Sequence, residues 1–259
     1  MKKEPTIMLL DVGNSNTHFC FSTGRRILGR KPGSAFTAAF FSRHFLRNTA
    51  QALQHEGFDR VVACCVVPRH VPQIRQYARR LTGKEPILVS YRIDLGIGIR
   101  YPNPRQIGAD RLANAVAAAK LYGAPSIVVD FGTAVTFDIV NRRGEYIGGV
   151  IAPGLAAMTD YLYEHTALLP HIELREPPSP VGKSTVAAMR VGAVLGYRGL
   201  VKEILGALRR EPGLKNAAIV ATGGYGDLIA RKIPEIQHVN PLLTLEGLRF
   251  IYERNRKNG

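Results

Sequence analysis

The chain has 259 residues, 46% of them hydrophobic and 21% charged, with a formal charge of +15. That composition supports a real core and excludes a disordered chain, and no apolar run approaches the roughly 18–20 residues of a membrane span. Three cysteines without a CxxC and seven histidines without HxxxH or HxH spacing argue against a disulfide framework, a structural zinc site or a histidine metal site.

The first element is the apolar run Ile7 to Leu10, too short for a signal-peptide core and followed at once by Asp11. It reads as a buried strand of a cytosolic protein. The sequence Asp11-Val12-Gly13-Asn14-Ser15 and the β-prone stretch Asn16 to Phe21 complete a hairpin with a tight, polar, glycine-bearing turn, followed by Gly24-Arg25-Arg26. Phe36 to His55 carries apolar residues at helical spacing and stops at Gly57. Val61 to Val67 reads as a buried strand ending at Pro68, and Arg111 to Tyr122 as an alanine-rich helix. The hairpin pattern then returns: Ile127 to Val129, Asp130-Phe131-Gly132-Thr133-Ala134, Val135 to Val140, and a basic turn from Asn141 to Gly144. A device repeated 119 positions on, from Asp11 to Asp130, predicts two homologous halves, 1–122 and 123–259, divided near Tyr122-Gly123-Ala124-Pro125.

Val186 to Leu208 is a long, largely apolar helix whose Gly192, Gly196 and Gly199 would admit a second helix closely, as at a dimer interface. Ala217 to Ala221 is a short strand entering Thr222-Gly223-Gly224-Tyr225-Gly226, and a terminal helix, Leu245 to Arg256, follows Asn240-Pro241. Positive charge is dispersed; its densest run, Arg249 to Lys257, holds four basic residues and reads as a solvated helix face. Enrichment of anionic substrates near a cleft and nucleic-acid binding are the other readings of the charge. Alternating strands and helices give an α/β fold.

Three features could carry chemistry. Each Asp-x-Gly turn places a carboxylate at a strand end, where it can hold Mg²⁺, beside a glycine that lets backbone N–H groups approach a phosphate. Gly182-Lys183-Ser184-Thr185 mimics the end of a P-loop, but Pro177 stands where that motif needs glycine, and no strand precedes it. Ser184 or Thr185 is then the cap of the long helix, or a hydroxyl offered to a ligand at its start. The stiff segment Tyr101 to Arg111 ends in Gly108-Ala109-Asp110-Arg111. Asp110 is either a helix cap beside a solvent-facing arginine, or a general base beside a guanidinium that grips an anion.

These residues bring a resemblance with them. Asp11 to Asn16, Gly108 to Arg111, Asp130 to Thr136, Gly148 to Gly154, His165 to Pro170, Gly182 to Thr185 and Thr222 to Gly226 resemble, in order, the motif set of type III pantothenate kinases. The likeness runs from about Ile7 to Ile251. It implies two duplicated ribonuclease-H-like (actin-like ATPase) domains with an interdomain nucleotide cleft. It implies ATP-dependent phosphorylation of pantothenate, the first step towards coenzyme A, with Mg²⁺ and a monovalent cation, K⁺ or NH₄⁺. The loop Asp11, Val12, Gly13, Asn14, Ser15, Asn16, Thr17 and His18 would hold the ATP phosphates, Asp11 also serving Mg-ATP, with Thr133 facing the nucleotide. Asp130 would bind the monovalent cation and Asp110 would be the general base. Tyr101, Gly108, Ala109, Asp110 and Arg111 would line the pantothenate pocket, and Thr185 would complete it from the other subunit of a homodimer. Ser15 replaces a frequent Thr, Cys20 a frequent Gly and Cys65 a frequent Ser; none of these empties a proposed role. The enzyme is expected in the cytoplasm; no apolar run reaches the length of a membrane span, and dispersed basic residues without an aromatic–basic recognition motif argue against a specific nucleic acid as partner. The rival readings are a kinase for another small polyol, a non-catalytic transcription accessory factor of the same family, and purely structural glycine turns.

Overall fold

The computed structural model describes residues 6–23, 25–28, 36–39 and 58–256. β1 (Ile7–Val12) turns through Gly13–Ser15 into β2 (Asn16–Ser22), antiparallel, with Asp11 opposite His18. β5 (Arg60–Cys65) runs parallel to β1 on its other side, with Asp11 opposite Cys64. β3 (Ile27–Leu28) and β6 (Ile87–Leu88) extend the sheet to the order β3-β2-β1-β5-β6, and β4 (Phe36–Ala39) also pairs with β2. Strand alternation divides the buried residues between two faces. Met8, Leu10 and Val12 cluster with Ile74, Tyr77 and Ala78 of α1 (Val71–Thr82). Ile7, Leu9, Cys20, Val62 and Cys64 cluster with Leu112, Ala113 and Val116 of α2 (Ala109–Tyr122) and with Leu248 and Ile251 of α6 (Leu243–Asn255). Asp11 shares the alternation of Ile7 and Leu9, so its side chain leaves the sheet on the face that α2 covers.

The second unit repeats this order. β8 (Ser126–Phe131) and β9 (Ala134–Val140) form the hairpin, with Asp130 opposite Thr136. β11 (Ala218–Thr222) runs parallel beside β8, with Asp130 opposite Thr222. With β10 (Glu145–Pro153) and β12 (His238–Val239), the order is β10-β9-β8-β11-β12, the counterpart of β3-β2-β1-β5-β6. The two Asp-x-Gly turns therefore occupy equivalent places. Ile127, Val129 and Phe131 pack under Val194, Tyr197 and Val201 of α4 (Thr185–Arg210) and Ile229 of α5 (Gly226–Ala230). α3 (Leu155–His165) contributes Leu155 to the same core.

The chain changes unit between Leu121 and Tyr122, where the sequence places the break, but the expected second half, 123–259, is not one unit. The second unit is Tyr122–Pro241, and the chain returns to the first from Leu242. The cause is α6, whose Leu245, Leu248 and Ile251 complete the first core. Its Gly247 lies so close to α2 that a Cβ there would stand 2.0 Å from the Ala113 carbonyl oxygen.

Two further expectations change. Phe36–Ala39 is a strand paired with β2, where its backbone completes a ladder, and the rest of the helix expected over Phe36 to His55 lies outside the described residues. The basic tail is only partly a solvated face. Arg249 is buried, paired with Glu246 at 2.7 Å and Glu253 at 3.0 Å, with its guanidinium 4.0 Å from the Phe250 ring centroid. Arg254 binds Asp94 at 2.8 Å. Among the described residues, no helix is long and apolar enough to cross a membrane.

Candidate active site

Residues directly opposite each other on neighbouring strands project from the same face. His18, Asp11 and Cys64 thus form one row across β2, β1 and β5. The Cys64 thiol donates to Asp11 Oδ1 at 3.1 Å. Burial lowers the His18 pKa below the ordinary 6.5, so its ring stays neutral near neutral pH. At the turn, Gly13 N–H donates to the Asn16 carbonyl at 2.9 Å, which leaves Asn14, Ser15 and Asn16 exposed. A Cβ on Gly13 would come within 3.0 Å of that same carbonyl oxygen. Thr17 differs from its neighbours. Its side chain is fully buried and its hydroxyl has no hydrogen-bond partner among the described residues.

The loop into α2 passes from β7 (Gly98–Ile99) through a short 3-10 turn at Pro104–Gln106. Leu112 N–H donates to the Gly108 carbonyl at 3.2 Å, the first bond of the helix. Asp110 is therefore the second helical residue rather than the cap, and its Oδ1 accepts from Arg111 N–H at 2.8 Å. The carboxylate curls back so far that a Cβ on Gly108 would lie 2.5 Å from Oδ1. A side chain at Gly108 would turn this carboxylate away from the Arg111 N–H. Burial pushes the Asp110 pKa above the ordinary 3.8, and the N–H and charge of Arg111 only partly oppose it. A carboxylate raised in this way is a better proton acceptor. The Cys64 thiol is pushed well above its usual range by burial first, then by the charges of Asp11 and Asp110. Both carboxylates thus lie near Cys64, on the sheet face that α2 covers. Tyr101, Ala109 and Arg111 are half-buried beside them in sequence.

In the second unit, three glycine motifs meet around the other turn. Gly223 has φ +88°, and a Cβ on it would lie 2.6 Å from both Asp130 Oδ1 and Phe131 N. Gly154 N–H donates to the Thr133 carbonyl at 3.1 Å, and a Cβ there would stand 2.2 Å from that oxygen. Gly132 and Thr133 stay exposed at the tip. On β9, two residues beyond the Asp130 partner Thr136, the fully buried Asp138 accepts from Thr136 Oγ1 and the Tyr146 hydroxyl, both at 3.3 Å.

The family model for type III pantothenate kinase matches residues 7–207. The chain belongs to that family. It is 48% identical over 245 residues to a type III pantothenate kinase of Akkermansia muciniphila, covering 95% of this chain and 97% of that one. Among solved structures it is similar to a conserved protein assigned to the Baf family of transcriptional activators from Campylobacter jejuni, with TM-score 0.61 at 20% identity, covering 96% and 99% of the two chains. It is also similar to MreB 5 of Spiroplasma citri bound to AMPPNP, with TM-score 0.51 at 13% identity, covering 99% and 98%. These likenesses show the fold, the two-domain α/β architecture of actin-like ATPases.

For a type III pantothenate kinase, the segment Gly182 to Thr185 carries more structure than its sequence suggests. Ser184 is the cap of α4, accepting from Ala187 N–H at 3.2 Å, and Thr185 is the first helical residue and exposed. A Cβ on Gly182 would meet Ala188 N at 2.3 Å, so this glycine lies against the first turn of α4. Residues 166–184 contain no strand, which removes the P-loop reading. Thr185 belongs to the second unit and Asp110 to the first. Gly192, Gly196 and Gly199 have open space where a Cβ would go. Sequence reasoning attached no role to Cys64, Gly154 or Asp138. Gly154 had a signal, since it closes a recognised motif. Cys64 had none, because its place beside Asp11 follows from a parallel pairing across 53 residues.

Proposed function

We propose that this chain transfers the γ-phosphoryl group of ATP to the primary hydroxyl of pantothenate, the first step towards coenzyme A. The observation that supports this reading is the half-buried Asp110 at the start of α2, its carboxyl pKa raised by burial, on the sheet face from which Asp11 emerges. Phosphoryl transfer needs positioning and charge stabilisation more than covalent chemistry. Asp110 takes the hydroxyl proton as the bond to phosphorus forms. Arg111 grips the pantothenate carboxylate in a pocket shared with Tyr101, Gly108 and Ala109. The turn from Asp11 to His18 offers backbone N–H groups and the side chains of Asn14, Ser15 and Asn16 to the ATP phosphates, with the neutral His18 ring as a further contact and Thr133 facing the nucleotide.

Among the described residues, no cluster of three or more His, Cys, Asp or Glu could hold a metal. Mg²⁺ is usually held by one or two protein carboxylates together with phosphate oxygens and water. Asp11 fits Mg-ATP in this way, and Asp130, pressed by the Gly223 backbone, fits K⁺ or NH₄⁺. Such ions, when bound, neutralise charge developing on the transferring oxygens.

The second unit exposes Ile151 at 64%, Leu168 at 88% and Val181 at 67%, and Gly192, Gly196 and Gly199 of α4 have open space where a Cβ would go. These residues support a homodimer in which Thr185 completes the partner's pantothenate pocket. Free cysteines at Cys20, Cys64 and Cys65 fit a cytoplasmic enzyme. A coupled assay with ATP, Mg²⁺ and pantothenate, with and without K⁺, tests the proposal. Pantothenate-dependent ADP release, stimulated by K⁺, is the expected result. Turnover with another small polyol in its place would move the assignment to that substrate. No turnover at all, with sequence-dependent binding to duplex DNA at about 150 mM salt, would favour the regulator.

A further inference from the structure

Cys64 takes no part in the chemistry proposed above and lies outside every motif that carries the family resemblance. Its surroundings nevertheless tie it to the phosphate turn. The parallel pairing of β1 with β5 sets Cys64 opposite Asp11, and the side chains of such a pair share a face. Cys64 is completely buried among Leu9, Val62, Leu112 and Ala113. Its Sγ lies 3.1 Å from Asp11 Oδ1, inside hydrogen-bonding range for sulfur. The chemistry of the donor matters. An arginine or lysine at this place would neutralise the Asp11 carboxylate and compete with any cation it serves. A thiol is a weak, neutral donor, so it can fix the carboxylate and leave its charge in place. Burial fixes the thiol in turn, because packed apolar neighbours leave Sγ few rotamers.

We infer that Cys64 is a positioning residue for nucleotide binding: its thiol holds Asp11 Oδ1 and sets the plane of the carboxylate that meets the Mg²⁺-bound phosphates. The inference rests on the reading of Asp11 as the Mg-ATP carboxylate. Cys64 touches neither substrate, and its influence passes through Asp11 alone.

The test compares Cys64→Ala, which removes the donor, with Cys64→Ser, which keeps one. Calorimetry measures binding of the non-hydrolysable AMPPNP with Mg²⁺ and with EDTA, and steady-state kinetics separates KM for ATP from KM for pantothenate. Loss of one hydrogen bond predicts a roughly three- to tenfold weaker binding of Mg-AMPPNP by Cys64→Ala. Its KM for ATP should rise in step, its KM for pantothenate should stay within about twofold, and binding in EDTA should be little changed. Cys64→Ser should return Mg-AMPPNP affinity to within about twofold of wild type. Wild-type affinity in Cys64→Ala overturns the inference. So does an equal loss in Ala and Ser, or a loss that persists in EDTA, since each points to packing alone. Should the small variants not fold, Cys64→Thr and Cys64→Val give the same contrast of donor against no donor at matched volume. In wild type, the infrared S–H stretch absent from the substituted protein should shift when Mg-AMPPNP binds; an unmoved band also counts against the inference. A wild-type enzyme that binds Mg-AMPPNP but ignores pantothenate would overturn the substrate assignment and leave the Cys64 contrast intact. An active wild type without that contrast does the reverse.

Discussion

Replacing Asp110 by asparagine separates what the carboxylate does for the reaction from what it costs the fold. The substitution is nearly isosteric, and the amide oxygen can still accept from Arg111 N–H, the bond that Oδ1 makes at 2.8 Å. The local geometry at the start of α2 should therefore survive. What disappears is the proton acceptor. Removing a general base typically costs about 10²–10⁴-fold in rate, or roughly 2.7–5.4 kcal/mol of barrier at 1.36 kcal/mol per decade. Stability should move the other way. Burial raises the folded-state pKa of Asp110 above its ordinary 3.8, so the native protein holds this proton more tightly than the unfolded chain. Wild type then loses stability as pH rises from the ordinary carboxylate value through the folded one. The neutral amide of the variant carries no such penalty. Urea unfolding at about pH 7 should show Asp110→Asn at least as stable as wild type, and the difference should vanish near about pH 3, where both side chains are neutral. In wild type, the acid limb of kcat/KM should lie above 3.8, because the base must be ionised in the free enzyme. Turnover within about threefold of wild type would refute the base assignment. A variant destabilised by more than about 1 kcal/mol at neutral pH would refute the account of its burial.

Four other perturbations address the remaining parts of the site. Gly223→Ala combines a left-handed φ of +88° with a Cβ 2.6 Å from Phe131 N and Asp130 Oδ1, whereas Gly224 has nothing within 4 Å of a Cβ. The first should cost about 2–5 kcal/mol from strain and overpacking and the second under about 1 kcal/mol; equal urea midpoints would contradict the close approach. Asp130→Ala should abolish or greatly weaken activation by K⁺ while the protein stays folded, and an unchanged K⁺ dependence of turnover would remove the cation from this turn. Ser184→Ala should destabilise the protein by about 0.5–2 kcal/mol through loss of the α4 cap, and Thr185→Ala, at an exposed first-turn position, should do so by less. Mixed dimers of Asp110→Asn with Thr185→Arg should regain activity if Thr185 serves the partner's pocket, since one of their two sites keeps both native residues. Verified heterodimers that stay inactive would end that reading.

The sequence by itself determined the two hairpins. Strand, Asp-x-Gly turn and strand are contiguous, and the register of such a turn is fixed by residues only a few positions apart, as the Gly13 to Asn16 bond shows. It also determined the helices Ala109–Tyr122 and Thr185–Arg210 to within one or two residues, because alanine content and apolar spacing are local properties. The duplication was legible for the same reason, since a local pattern recurs at Asp11 and Asp130. Tertiary structure alone decided which strand lies beside each hairpin. β5 and β11 pair in parallel across long connections, and that pairing puts Cys64 beside Asp11 and Thr222 beside Asp130. Tertiary structure also returned Leu243–Asn255 to the first unit. Leu245, Leu248 and Ile251 of that helix complete the first core, where Gly247 lets two helix backbones meet at Ala113. Pairings of this kind are settled by mutual burial between segments far apart in the chain, and no propensity of either segment contains them.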